Sequence, residues 1–216
     1  MTVTFKVLEH TNHTEIDRLI EIYQEAIDPS EQKSPPEIIG MLQDHRYVLM
    51  IGSDECGTLG FSISFYPQNA DFWLLEYMAV DSKQRSRGVG EALFNAAYNH
   101  GLSFDPNRIM VLEVDQPGQS NNPKNDTVSR FRFYSRMKCR RITGLDYILP
   151  LEAAGPPPPM MLLVFRQPPI DRLPKSKVRE WLIRMYVDVY GQSANDPRID
   201  ISMSQLGDSV VCDSLS

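Results

Sequence analysis

The sequence predicts an α/β fold built on a mixed sheet, and three observations predict it. Short apolar-alternating runs and helical stripes follow one another at the close spacing of such folds. Three strand-like runs, Tyr47 to Ile51, Leu59 to Tyr66 and Phe72 to Val80, stand in series like a meander. The nearly unbroken apolar run Ile109 to Val114 suits a strand covered on both faces.

The elements follow in order. Val3 to Leu8 alternates as a first strand, and Thr14 with Asp17 resembles a capping box. Ile16, Leu19, Ile20, Tyr23 and Ala26 then recur at helical spacing, which predicts a helix from about Glu15 to Ala26. Ser34 before Pro35 has the form of an N-cap with proline at the first helical position, opening a short helix through Ile38, Ile39 and Leu42. Ser53 to Gly57 supplies the turn between the first two meander strands. A helix starts near Val89, with Ala92, Leu93, Ala96 and Ala97 on one stripe and Gly101 as its expected stop. Another spans Thr127 to Met137, where Val128, Phe131 and Tyr134 repeat every three residues. Tyr147 to Leu149 and Met160 to Phe165 are the last strand candidates, separated by a proline-rich stretch that includes Pro156 to Pro159.

Three segments are expected: a main domain over 1–166, a proline-rich connection with an amphipathic helix over 167–191, and a polar, partly disordered tail over 192–216. Val178, Trp181, Leu182, Met185, Tyr186 and Val189 form the stripe of that C-terminal helix, which ends at Gly191. The stripe either packs on its own domain or makes a homodimer contact. The tail is polar and small in composition, which favours disorder.

Composition narrows the function. With 216 residues, 42% hydrophobic and 23% charged, the chain falls in the ordinary globular range. No apolar run approaches the roughly 20 residues that span a bilayer, and the N-terminal residues lack the apolar core of a signal peptide. A cytoplasmic protein without membrane attachment is expected. Cys56, Cys139 and Cys212 are scattered, with no CxxC pair, so neither a disulfide framework nor a metal site is expected. The net charge of -6 argues against a nucleic-acid partner.

Chemistry concentrates between Leu74 and Phe94. A strand ends near Val80, a polar turn holds Arg85, Ser86 and Arg87, and Gly88 and Gly90 flank the start of a helix. Such a junction aims unpaired backbone N–H groups and the positive end of the helix dipole at one point, the natural seat of a pyrophosphate. Glycine allows close backbone approach, and the arginines add charge-assisted hydrogen bonds. The alternative is a tight turn with solvated arginines. Neither a Walker A loop nor GxGxxG is present.

Here the sequence resembles the GNAT superfamily of acetyl-CoA-dependent N-acetyltransferases. Arg85-Ser86-Arg87-Gly88-Val89-Gly90 after Ala79-Val80 matches the family's pyrophosphate signature at every fixed position. Val111 to Val114 resembles the next strand, and Phe133 to Arg140 the segment that ends the following helix. The resemblance implies a three-layer fold whose central sheet splays, with acetyl-CoA as co-substrate in the gap. It implies that the backbone of Met78, Ala79 and Val80 holds the pantetheine arm, with Met78 N–H as oxyanion donor. Pyrophosphate is then assigned to Arg85, Ser86, Arg87, Gly88, Val89, Gly90 and Glu91.

Acetyl transfer to an amine needs a neutral nucleophile, charge stabilisation at the carbonyl oxygen and a proton for the leaving sulfur. Glu113 is the first candidate base, because its Leu-Glu-Val setting resembles the strand carrying the catalytic glutamate in the family's ribosomal-protein acetyltransferases. Glu76 is the second, on the strand that supplies a carboxylate in other members. A carboxylate on an apolar strand tends toward a raised pKa, and either glutamate could instead face solvent or pair with a nearby arginine. Tyr134 occupies the family's tyrosine position and is the candidate acid; the alternative is an aromatic core residue.

Two departures from the family pattern stand out: an enlarged connection over Gln116 to Lys124, and Thr127 where relatives place asparagine, with Asn125 nearby. The basic cluster Arg130, Arg132, Arg136, Lys138, Arg140 and Arg141 is either a solvated face or a contact for the 3'-phosphate of coenzyme A or an acidic substrate. The expected activity is acetyl transfer to a primary amine of a small molecule or protein. The competing readings are a non-catalytic acyl-CoA-binding sensor or interaction module, and a structural subunit dimerising through the C-terminal helix.

Overall fold

A computed structural model of the chain describes residues 2–117, 127–151 and 159–215. Most of the enlarged 116–124 connection, Asn125 and Pro156 to Pro158 lie outside the described residues. The chain divides into two compact units, 1–108 and 109–216.

The first unit holds strand β1 (Thr4–Val7), helices α1 (His13–Ala26) and α2 (Pro35–Met41), strands β2 (Tyr47–Asp54), β3 (Gly57–Phe65) and β4 (Phe72–Val80), and helix α3 (Val89–Phe104). Its strands pair in the order β1-β2-β3-β4, all antiparallel, which is the predicted meander with one strand added. Apolar residues of α1 (Leu19, Ile22, Tyr23) and α2 (Ile38, Met41) pack with Leu49, Ile51, Phe61 and Ile63 of the sheet in one cluster. Ser34 is the predicted N-cap of α2 with Pro35 following, and the structure adds a capping box: the Ser34 side chain takes the N3 amide and the Glu37 carboxylate takes Ser34 N at 2.7 Å. The start of α1 differs from expectation. Asn12 is the N-cap, and its Oδ1 accepts from Glu9 N at 2.8 Å, so the Thr14–Asp17 pair lies inside the helix.

Gly101 does not stop α3, which runs three residues further. It is buried within the helix, and a Cβ there would come within 2.5 Å of the Trp73 indole. The glycine serves close packing of helix on sheet rather than termination. Gly101→Ala should therefore cost about 1–3 kcal/mol through overpacking, read as a lower urea midpoint with unchanged slope.

The second unit holds strand β5 (Ile109–Asp115), helix α4 (Thr127–Arg136), strands β6 (Arg140–Ile142), β7 (Met160–Phe165) and β8 (Arg172–Pro174), helices α5 (Lys175–Arg184) and α6 (Pro197–Ser202), and strand β9 (Ser209–Ser214). Strand order is β5-β7-β6-β9-β8, antiparallel throughout. Every residue of β7 is buried, as is every residue of β5 except Glu113.

Four expectations change here. Tyr147 to Leu149 joins no strand; Asp146 N donates to Ser202 O (3.1 Å) and Ile148 N to Ser202 Oγ (3.3 Å), so α6 holds the segment. Val128 is 40% exposed on α4, whose buried residues are Thr127 and Tyr134. The C-terminal helix buries Val178, Trp181, Leu182, Met185 and Tyr186 fully within the chain, so these side chains pack on their own domain, while Val189 is half-buried.

The fourth concerns the 192–216 tail, which carries α6 and β9, with β9 pairing to β6 on one side and β8 on the other. Asp196 caps α6 by accepting from Arg198 N, and Val210 and Cys212 are buried at alternate positions of β9. No boundary falls at 166, because β7, β6, β9 and β8 are consecutive in one sheet.

Candidate active site

The turn from β4 into α3 is built by ordinary capping chemistry. Asp81 is buried, its side chain accepting from Lys83 N at 2.9 Å and from the Arg18 guanidinium. This anchors a 3-10 turn over Ser82–Gln84, after which Arg85 to Gly88 run exposed. Ser86 (φ 63°) and Gly88 (φ 79°) are both left-handed, and Gly88 is the N-cap of α3. The first bond of the helix is Ala92 N to Gly88 O, 3.1 Å, so the amides of Val89, Gly90 and Glu91 precede the ladder. A Cβ at Gly88 would meet nothing within 4 Å. N–H groups that precede the helical ladder, the positive end of a 16-residue helix and two adjacent arginines suit a pyrophosphate.

Upstream on the same strand, Met78, Ala79 and Val80 lie opposite Ser62, Phe61 and Gly60 of β3. Between Tyr77, opposite Ile63, and Leu75, opposite Ser64, the register slips and Glu76 is the extra residue of a β-bulge. A bulge re-aims side chains, and here two consecutive residues address one segment. Tyr77 Oη donates to Glu31 O at 3.1 Å, while Glu76 Oε1 accepts from Lys33 Nζ. The Glu76 side chain is 2% exposed, and its Oε2 is buried with no hydrogen-bond partner among the described residues.

Aromatic rings surround this pair. Lys33 Nζ lies 5.7 Å from the Tyr77 ring centroid, and Tyr77 meets Tyr23 edge-on at 5.1 Å. Tyr23 Oη accepts from Lys33 N at 2.7 Å, fixing the backbone that carries the ammonium. Burial, then the Glu76 charge, hold the Tyr47 phenol far above its usual pKa, so it stays neutral.

Glu113 sits on β5 opposite Leu162 of β7. Its Oε1 accepts from Tyr147 Oη and its Oε2 from Tyr190 Oη at 2.5 Å. Tyr190 follows a π-helical turn, Met185–Val189, that closes with Tyr190 N donating to Met185 O (3.3 Å). Tyr186, four residues earlier, donates to Ile148 O at 2.5 Å, beside Tyr147. Burial and the Glu113 charge hold the Tyr147 phenol well above its usual pKa. Two phenol donors thus grip the carboxylate named first from the sequence.

Tyr134 is buried on α4, and burial raises its phenol above the usual value. The basic cluster does not act as one patch. Arg130 pairs with Asp115, while Arg140 binds Cys212 O (2.7 Å) and Asp171 (2.7 Å). Arg141 Nε is buried without a partner among the described residues, and Arg132, Arg136 and Lys138 are exposed.

Lys33, Tyr77, Tyr147 and Tyr190 escaped the sequence analysis. Tyr147 and Tyr190 lie 34 and 77 positions from Glu113, beyond any local pattern. Among the described residues no group of three or more His, Cys, Asp or Glu could hold a metal ion. No helix of the described residues is long and apolar enough to cross a membrane.

This strand, turn and helix place the chain in a known class. The sequence matches the acetyltransferase (GNAT) family over residues 15–122, half of the chain. The chain belongs to that family. No curated protein matches it. Among solved structures, a GNAT-family protein from Bacteroides thetaiotaomicron is 21% identical with a TM-score of 0.67, over 87% of this chain and 98% of its own. The ribosomal-protein-S18-alanine N-acetyltransferase of Escherichia coli is 18% identical (TM-score 0.55, covering 76% of this chain and 93% of that one). An aminoglycoside 6'-N-acetyltransferase complexed with coenzyme A is also 18% identical (TM-score 0.58, 75% and 96%). At these identities the likeness establishes the fold, which is the mixed α/β fold of GNAT acetyltransferases.

Proposed function

We propose that the protein transfers an acetyl group from acetyl-CoA to the primary amine of a small molecule or protein. The observation that carries this reading is the single run of β4, turn and α3. It sets the left-handed Ser86 and Gly88 at a helix N-terminus and Glu76 on a bulge of the strand that leads there.

Bound acetyl-CoA supplies the activated acyl group; the chain supplies binding, orientation and proton transfer. The amides of Val89, Gly90 and Glu91, with Arg85 and Arg87, hold pyrophosphate at the mouth of α3, where Ser86 and Gly88 shape the turn. The backbone of Met78, Ala79 and Val80 aligns the pantetheine arm, and Met78 N–H stabilises charge at the carbonyl oxygen. Glu76, whose Oε2 has no hydrogen-bond partner among the described residues, takes the proton of the acceptor amine. Glu113, gripped by Tyr147 and Tyr190, is a structural carboxylate rather than the base. Tyr134 stays protonated at neutral pH and donates to the leaving sulfur. Tyr134→Phe should lower kcat by roughly a hundredfold with little change in acetyl-CoA affinity; steady-state kinetics beside calorimetry checks this, and full turnover removes the assignment. The setting is the cytoplasm, a reducing compartment consistent with free thiols at Cys56, Cys139 and Cys212.

Calorimetry with acetyl-CoA, with coenzyme A and ATP as controls, tests the site, and coenzyme A release across an amine panel tests the reaction. A second reading, an acyl-CoA-binding module without catalysis, is favoured by one observation: both candidate carboxylates have partners inside the chain. It expects binding of acetyl-CoA with no coenzyme A released for any amine.

A further inference from the structure

We propose that Lys33 is an acetylation site of the protein itself, modified within its own molecule by the Glu76 centre. The inference rests on the acetyl-transfer reading above and adds an acceptor to it. Lys33 Nζ donates to Glu76 Oε1, so a primary amine on an unbranched alkyl chain already occupies the place of an acceptor beside the proposed base. The pair is secluded: the Lys33 side chain is 16% exposed and that of Glu76 2%. Tyr23 holds the Lys33 backbone, and the Tyr77 ring lies against the ammonium, so the amine is fixed at both ends of its side chain. Glu76 Oε2 is buried with no hydrogen-bond partner among the described residues.

Met78, assigned to the pantetheine arm, is two residues along β4 from Glu76, or about 7 Å of strand. The thioester therefore arrives within reach of a lysine side chain. In the step, the Lys33 ammonium gives a proton to Glu76 along their hydrogen bond. The freed nitrogen then forms a C–N bond to the acetyl carbon as the C–S bond breaks. The nitrogen loses its second proton, and coenzyme A leaves as the thiol. The product amide is neutral, which dissolves the ion pair and releases Glu76.

The test is peptide mapping by mass spectrometry of the full chain incubated with isotope-labelled acetyl-CoA, with binding measured by calorimetry on the same sample. Exposed Lys138 serves as the internal reference. Lys33 should be labelled at least about tenfold faster than Lys138, because the intramolecular amine has a high effective concentration. The rate should be independent of protein concentration. With N-acetoxysuccinimide, which needs no coenzyme A site, the order should reverse because Lys33 is secluded. Glu76→Gln should slow Lys33 labelling on the order of a hundredfold, and Gly88→Val should remove the preference for Lys33. Binding of acetyl-CoA with Lys33 labelled no faster than Lys138, or a rate that rises with protein concentration, overturns the proposal and leaves the acetyl-transfer reading standing. Absence of acetyl-CoA binding overturns both.

Discussion

Glu76→Gln should lower kcat for amine acetylation by 10²–10⁴-fold, the usual range for a lost general base, while acetyl-CoA affinity stays within about twofold. The amide keeps the size of the carboxylate and an oxygen for Lys33, so packing at the bulge is preserved. What it loses is the capacity to take a proton. The same substitution at Glu113 removes a charge held by two tyrosines and should act mainly on stability, seen as a lower urea midpoint. Paired measurements of kcat and urea midpoint on the two variants separate the roles. Full turnover in Glu76→Gln, with collapse in Glu113→Gln, reverses them.

Gly88→Val should abolish measurable acetyl-CoA binding without unfolding the chain. Gly88 has φ 79°, a region that costs an ordinary residue roughly 1–2 kcal/mol and a β-branched one more. The residue is exposed and nothing lies within 4 Å of its Cβ position, so the penalty is conformational and falls on the turn. Relaxing the turn tilts the amides of Val89, Gly90 and Glu91 away from their common focus. Loss of two charged hydrogen bonds, at about 1.5–3 kcal/mol each, weakens affinity by roughly 10²–10⁴-fold. Circular dichroism should be unchanged and calorimetry flat. Gly88→Ala, with a smaller penalty, should fall between Val and the natural residue. Unchanged affinity in Gly88→Val ends the assignment of this turn.

The turn was legible in the sequence because its chemistry is local. Alternation ends at Val80, arginines follow, and glycine stands at the left-handed N-cap of the helix. Ser34 as N-cap before Pro35 was legible for the same reason, whereas its reciprocal bond with Glu37 emerged only in the structure. Glu76 was legible as a candidate but its bulge was not, since an inserted strand residue leaves no mark in residue type. The Tyr147 and Tyr190 contacts to Glu113 are tertiary, set by the sheet and by a π turn that no periodicity announces. Gly101 was misassigned because glycine at a helix end and glycine under an indole look alike in sequence. The tail was misread on composition, although Val210 and Cys212 carry the two-residue period of a strand.

The order of strand pairing also bears on how the chain is made. In the first unit each strand pairs with its sequence neighbour, so its sheet is complete once Val80 has been synthesised. In the second, Arg140 waits for Ser214 and Leu173 for Val210, so the sheet that begins at Ile109 closes only after residues 209–214 exist. Pairings close in sequence form faster than distant ones, and units made earlier fold first during translation. The nascent chain is thus expected to carry a finished first unit while the β6 edge of the second still waits for β9, the stage at which a chaperone matters most.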